Sequence, residues 1–260
     1  AVVAPDYQGL GTRGVHPYLQ RKPEGYSVLD GARAAIAAYP GQIANRVILS
    51  GQSQGSGAVL NAASVAKAYA PSVNLLGVIA TALVWRDETP ADPDRDVLEG
   101  DAPRYVVMRS EILTAKGELL RKGAEARCSR DLVPILNNHG ITGRNAFRPS
   151  PSEMAAMLGS LAAPRQNLGV PVLVGTGLAD SLIPPASQHG AIALMCESGN
   201  HLHWRRYDGV GHSATSNYAL PDAFSFAQSL LKGERLPSQC DNLPAPGPIQ
   251  KMATDIPFNL

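Results

Sequence analysis

Ser53 stands at the centre of Gly51-Gln52-Ser53-Gln54-Gly55, between the β-branched run RVILS (46 to 50) and an Ala-rich stretch that continues to Tyr69. A strand that passes through such a pentapeptide directly into a helix must turn sharply at the serine. Glycines two before and two after remove side chains that would hold strand and helix apart. The hydroxyl then stands above the carboxyl edge of a sheet, near the positive end of the next helix, and the backbone N–H of Gln54 points to where an oxyanion forms. A serine hydroxyl is a poor nucleophile at neutral pH, so this chemistry needs a base, and the base needs an orienting carboxylate. The other reading of the five residues is a glycine-rich turn in which Ser53 caps a helix.

The partners must come from later strand ends, in the order serine, acid, histidine. Asp180 follows the apolar run PVLVGTG in GLADSLIPP, and His212 follows HWRRYDG in YDGVGHSA, just before the last helix. Asp180 has a competing role as a cap for the helix opened by Pro184 and Pro185, and His212 as an exposed loop residue. Asp208 is the rival acid, but it lies too close in sequence to His212 to reach it from the neighbouring strand. His16 belongs to the first loop, His139 to a later insertion and His189 to a helix, while His201 and His203 sit at or in a strand.

Along the chain, short β-branched runs alternate with longer helical segments, the pattern of a parallel sheet covered by helices. AVVAP (1 to 5), RVILS (46 to 50), LLGVIATAL (75 to 83), PVLVGTG and HWRRYDG (203 to 209) read as strands. Ser27 and Asp30 form a candidate capping box for a helix ending near Tyr39, Ser53 to about Tyr69 reads as a second helix, and 221 to 231 as the last. The rhythm stops between Trp85 and Leu168. That stretch predicts a mainly helical insertion, its best helix opening at Ser150 with Pro151 and Glu153 and presenting Met154, Met157, Leu158 and Leu161 on one face, either as packing or as a lid. The resulting division is a first core part at 1–84, the insertion at 85–168, a second core part at 169–236 and an extended Pro-rich tail at 237–260.

Composition narrows the function classes. Across 260 residues, 23 Lys and Arg nearly balance 22 Asp and Glu, leaving +1, which argues against a surface built for nucleic acid or an anionic membrane. There is no apolar run of 18 residues, so no membrane span is expected. Cys128, Cys196 and Cys240 have no metal-binding spacing and no metal is expected.

VVAPDYQGLGTRGVHPYL, GYSVLDGARAA, SGQSQGSGAVL, PVLVGTGLADSLIPP and RRYDGVGHSA together resemble the secretory lipase family of α/β-hydrolases. The resemblance implies an α/β-hydrolase fold: a mostly parallel sheet with helices on both faces and a helical cap. It implies a serine esterase or lipase acting on a small-molecule or lipid ester, with Ser53, Asp180 and His212 as the triad, no cofactor, secretion to an extracellular or periplasmic space, contact with a lipid interface, and a disulfide between Cys196 and Cys240. A free buried thiol is the alternative for either cysteine. The resemblance further implies three strands ahead of AVVAPDY, with a second oxyanion donor after the third; these 260 residues lack them, and the loop at Asp6 and Tyr7 is the nearest substitute. A peptidase or amide hydrolase on the same triad, and a truncated or silent hydrolase fold, are the competing functions.

Overall fold

Four short runs of β-branched and small residues build the sheet. The computed structural model describes residues 1–14, 16–84, 112–124, 127, 129–150 and 166–259. In it β1 (Val47–Gln52), β2 (Leu75–Thr81), β3 (Val172–Gly177) and β4 (Leu202–Tyr207) pair in that order, every pair parallel. Helices cover both faces, so the central strands need no polar side and β3 is buried along its whole length. On one face Val78 and Ala80 pack with Leu60 of α2 (Gln54–Tyr69) and Ile192 of α6 (Pro185–Glu197). On the other, Ile79 and Leu173 meet Phe226 of α7 (Thr215–Lys232). The fold is α/β, as expected.

Residues 1–5 correct the reading of a first strand. They form no strand, and Val2 and Val3 are exposed, because no neighbouring strand takes up their backbone groups among the described residues. The first helix, α1 (Arg21–Ala38), also begins six residues before Ser27. Ser27 is no cap: its hydroxyl donates to the Pro23 carbonyl inside the helix. Pro23 falls in the first turn, where its missing N–H costs nothing. The last helix likewise starts before Pro221, which lies within it.

The described chain falls into two compact units, Ala1–Asp87 with Ala163–Leu260, and Glu88–Ala162. In the second, the described residues form α3 (Ala115–Ala124), α4 (Ser129–Asn138) and α5 (Gly143–Ala146), with an antiparallel bridge between Leu113 and Phe147. The helix expected to open at Ser150, from Pro151 to Leu161, lies outside the described residues, as does Cys128.

In the first unit a disulfide joins Cys196, at the end of α6, to Cys240 in a single 3-10 turn, Cys240–Asn242. It closes a span of 44 residues holding β4 and α7. On the chain-entropy account that restraint of the unfolded chain stabilises the fold by about 4 kcal/mol.

Candidate active site

The pentapeptide forms a sharp turn. Ser53 follows the last residue of β1 with φ 54° and ψ −121°, a region that non-glycine residues rarely adopt, and its N–H is anchored to the Thr81 carbonyl at 3.0 Å. Gly51 makes the turn feasible, since a Cβ there would stand 2.1 Å from the Gly55 carbonyl oxygen. Gly55 is different from its expected role. Among the described residues outside its own helix, a Cβ on it would meet only the Tyr7 hydroxyl, at 3.9 Å, so the close approach needs the Gly55 backbone and not the lack of a side chain. α2 starts at Gln54, whose N–H has no acceptor among the described residues, as is usual for the first donors of a helix.

The loop after β4 brings His212 to this turn. His212 Nε2 lies 2.8 Å from Ser53 Oγ, and its Nδ1 lies 2.9 Å from Asp180 Oδ2 in the loop after β3. The carboxylate is fully buried, and each oxygen has two donors. Oδ1 accepts the Leu182 and Ile183 N–H groups at 3.0 and 2.8 Å; Oδ2 accepts Gln188 Nε2 at 3.1 Å beside the imidazole. Four donors to one carboxylate offset the cost of burying it ionised. With that carboxylate on Nδ1, the imidazole turns its other nitrogen to the serine, the arrangement needed to accept a hydroxyl proton.

The rival acid is elsewhere: Asp208 Oδ1 accepts Gln250 Nε2 at 2.8 Å on the exposed surface. His189 sits against Trp204, and His203 against Phe226, away from the serine.

Three supporting residues were not singled out in the sequence. Gln188, buried on α6, donates to Asp180 and to the Ile183 carbonyl while its Oε1 accepts the Leu83 N–H and the Thr176 hydroxyl. Gln52 Nε2 donates to the His212 carbonyl at 3.1 Å, tying the histidine loop to the end of β1. Glu24, on α1, accepts Gln54 Nε2 at 2.8 Å. A polar residue on an otherwise apolar helix face is the only sequence signal for Gln188; Glu24 follows Pro23 in a first turn and reads there as an ordinary helix-start acid.

A strap from the tail completes the site. The Gln250 N–H donates to the Leu178 carbonyl at 2.8 Å, two residues before Asp180, and its Oε1 accepts the Gly209 N–H at 2.7 Å. Asn259 accepts the Gly211 N–H beside His212 and donates to the Gly209 carbonyl. The loops carrying Asp180 and His212 therefore share one clamp.

A parallel sheet crossed by this strand, turn and helix, with a histidine and an acid at later strand ends, is the α/β-hydrolase architecture. Residues 1–86 match the profile of the secretory lipase family, a partial match. Among solved structures, Candida antarctica lipase A in its closed state superposes with a TM-score of 0.60 at 16% identity, over 91% of this chain and 59% of that one. The chain thus spans about 59% of that lipase's length. A protein assigned as a hydrolase from Legionella pneumophila gives a TM-score of 0.68 at 17% identity, over 90% and 71%. The rice cell wall degrading esterase LipA from Xanthomonas oryzae gives 0.51 at 15%, over 86% and 69%. At such identities these likenesses speak for the fold. A search of curated protein sequences gives no match.

Proposed function

We propose that this chain is a serine esterase or lipase that cleaves small-molecule or lipid esters. The observation that carries the reading is the unbroken contact from Ser53 Oγ to His212 Nε2 at 2.8 Å and from His212 Nδ1 to Asp180 Oδ2 at 2.9 Å. Ser53 Oγ attacks the ester carbonyl carbon as its proton passes to His212 Nε2. Asp180 holds the imidazole tautomer and stabilises the imidazolium. The negative charge that develops on the carbonyl oxygen is met by the Gln54 N–H at the head of α2. His212 returns the proton to the departing alcohol, leaving an acyl group on Ser53, and water activated by the same imidazole then releases the acid. The sequence needs no cofactor.

The partial family match and the Cys196–Cys240 disulfide support a secreted location, since such bonds persist in oxidising compartments. Among the described residues no helix is long and apolar enough to cross a membrane, and contact with lipid is proposed at the surface only.

The test is covalent. A fluorophosphonate should add one equivalent to the protein and none to Ser53→Ala, which should also lose about 10⁶ in turnover of nitrophenyl esters. A Ser53→Ala variant as active as the parent would refute the proposal. Cleavage of an aminoacyl amide as fast as of the ester would turn it into an amidase, and no adduct at all would leave a silent hydrolase fold.

A further inference from the structure

Glu24 is 1% exposed, and the reaction above makes no use of its carboxyl group. It sits where α1 touches α2: a Cβ on the neighbouring Gly25 would stand 3.0 Å from the Ala62 backbone nitrogen. From that contact Glu24 reaches the turn beside Ser53. Its Oε1 accepts the Leu19 N–H at 2.7 Å and Gln54 Nε2 at 2.8 Å. Gln54 Nε2 also lies 2.9 Å from His16 Nε2, and His16 Nδ1 lies 3.1 Å from the Gln8 carbonyl oxygen.

With Glu24 ionised, one set of proton positions satisfies all of these contacts. A carbonyl can only accept, so His16 carries its hydrogen on Nδ1 and accepts at Nε2. Gln54 then donates one amide hydrogen to His16 and the other to Glu24. The reversed amide would set oxygen against carboxylate. Tyr7 stacks on His16 with ring centroids 5.7 Å apart, and Tyr18 meets the same ring edge-on at 6.1 Å. Burial, and then the Glu24 charge, raises the hydroxyl pKa of both tyrosines. Burial likewise pushes the Glu24 carboxyl up to about 7, against the opposing pull of the bonds from Gln54 and Leu19.

We propose that Glu24 is a positioning residue for the oxyanion donor: by gripping the Gln54 side chain it fixes the direction of the Gln54 backbone N–H. The inference rests on the reading of Ser53 as nucleophile and deepens it. Gln54 is held at its backbone by the turn and at its side-chain tip by Glu24 and His16. Its peptide plane cannot swing without breaking one of these holds. An oxyanion donor acts through being aimed in advance, so a loosened peptide lowers the rate of the chemical step and leaves substrate binding alone.

Four variants test this on the whole chain: Glu24→Gln, Glu24→Ala, Gln54→Met and the double Glu24→Ala/Gln54→Met. Losing a whole donor costs about 10² to 10³ in turnover, and losing its aim should cost about tenfold. Glu24→Ala and Gln54→Met should each lower kcat by about that factor with KM within about twofold. The double variant should be no slower than the slower single, because both break one grip. Glu24→Gln, whose carbonyl can accept both bonds, should keep most of the parent kcat. A phenylboronic acid, which forms an anionic tetrahedral adduct on Ser53 Oγ, should bind about tenfold more weakly to Glu24→Ala and to Gln54→Met, a change that lowered stability alone does not produce. Parent-like kcat and boronate affinity in Gln54→Met, a Glu24→Gln as slow as Gln54→Met, or losses that multiply in the double variant overturn the inference, even where Glu24→Ala fails to fold. Those results alongside an inert Ser53→Ala strike the Glu24 inference alone; an active Ser53→Ala strikes the esterase reading beneath it.

Discussion

Gln188 Nε2 donates at 3.1 Å to Asp180 Oδ2, the carboxylate oxygen that also faces His212 Nδ1. The amide is 0% exposed, and its oxygen accepts the Leu83 N–H and the Thr176 hydroxyl, which in turn accepts the Trp204 indole N–H. A chain of buried bonds thus leads from the core of the sheet to the acid. Replacing Gln188 by Leu removes one donor from Asp180 and strands the Leu83 N–H. We expect a loss of about 2 kcal/mol in urea unfolding and about a tenfold fall in kcat on nitrophenyl esters, from a less firmly held imidazole. Full activity in a destabilised Gln188→Leu would show that Asp180 needs no such support.

The two glycines of the turn should part company. Gly51→Ala forces a methyl group to within 2.1 Å of the Gly55 carbonyl, a backbone atom that cannot step aside. The cost should reach about 3 kcal/mol or more, with loss of fluorophosphonate labelling. Gly55→Ala meets an ordinary contact at 3.9 Å with Tyr7 and should stay within about 1 kcal/mol of the parent. Equal thermal shifts in the two variants would contradict the geometry of the turn.

Glu24 gives a dependence on pH with a definite sign. Its ordinary value is 4.5, and burial raises it to about 7 in the folded chain. Between those values the folded chain holds a proton that the unfolded chain has released, so this group's contribution to stability is full below pH 4.5 and falls as pH rises towards 7. The integrated loss is on the order of 3 kcal/mol. Glu24→Gln abolishes it. The unfolding free energy of the variant minus that of the parent should therefore climb over this window and flatten above about pH 8. A difference that stays constant with pH would mean that the carboxyl titrates normally.

The strap formed by Gln250 and Asn259 should matter more for reactivity than for folding. Its hydrogen bonds go to the loops at Leu178, Asp208, Gly209 and Gly211. Ending the chain after Pro248 should slow fluorophosphonate labelling by more than about tenfold while far-ultraviolet circular dichroism keeps its helical signal. Unchanged labelling kinetics would assign the strap a purely passive role.

The parts legible in the sequence are those governed by local pattern. Strand, glycine-flanked serine and Ala-rich helix fall together in one stretch, and the later apolar runs mark the strand ends that hold Asp180 and His212. Long-range relations were harder to read. AVVAP has strand composition, yet composition cannot supply a neighbour to pair with, and residues 1–5 are not a strand. α1 begins six residues before its capping signal because a first-turn Pro23 and the Glu24 bond to the Leu19 N–H start it instead. Gln188 and Glu24 escaped notice for the same reason: a lone polar residue in a helix reveals nothing of the partner that another element brings to it.

Residues 250–259 come later in the chain than Ser53, Asp180 and His212. During synthesis the ribosome therefore delivers all three side chains before the segment that clamps two of their loops. A nascent chain can pair its strands and bury its core while the loops that carry Asp180 and His212 are still unclamped. The contact among Ser53, His212 and Asp180 would then tighten as a late event, after the rest of the sheet has taken shape.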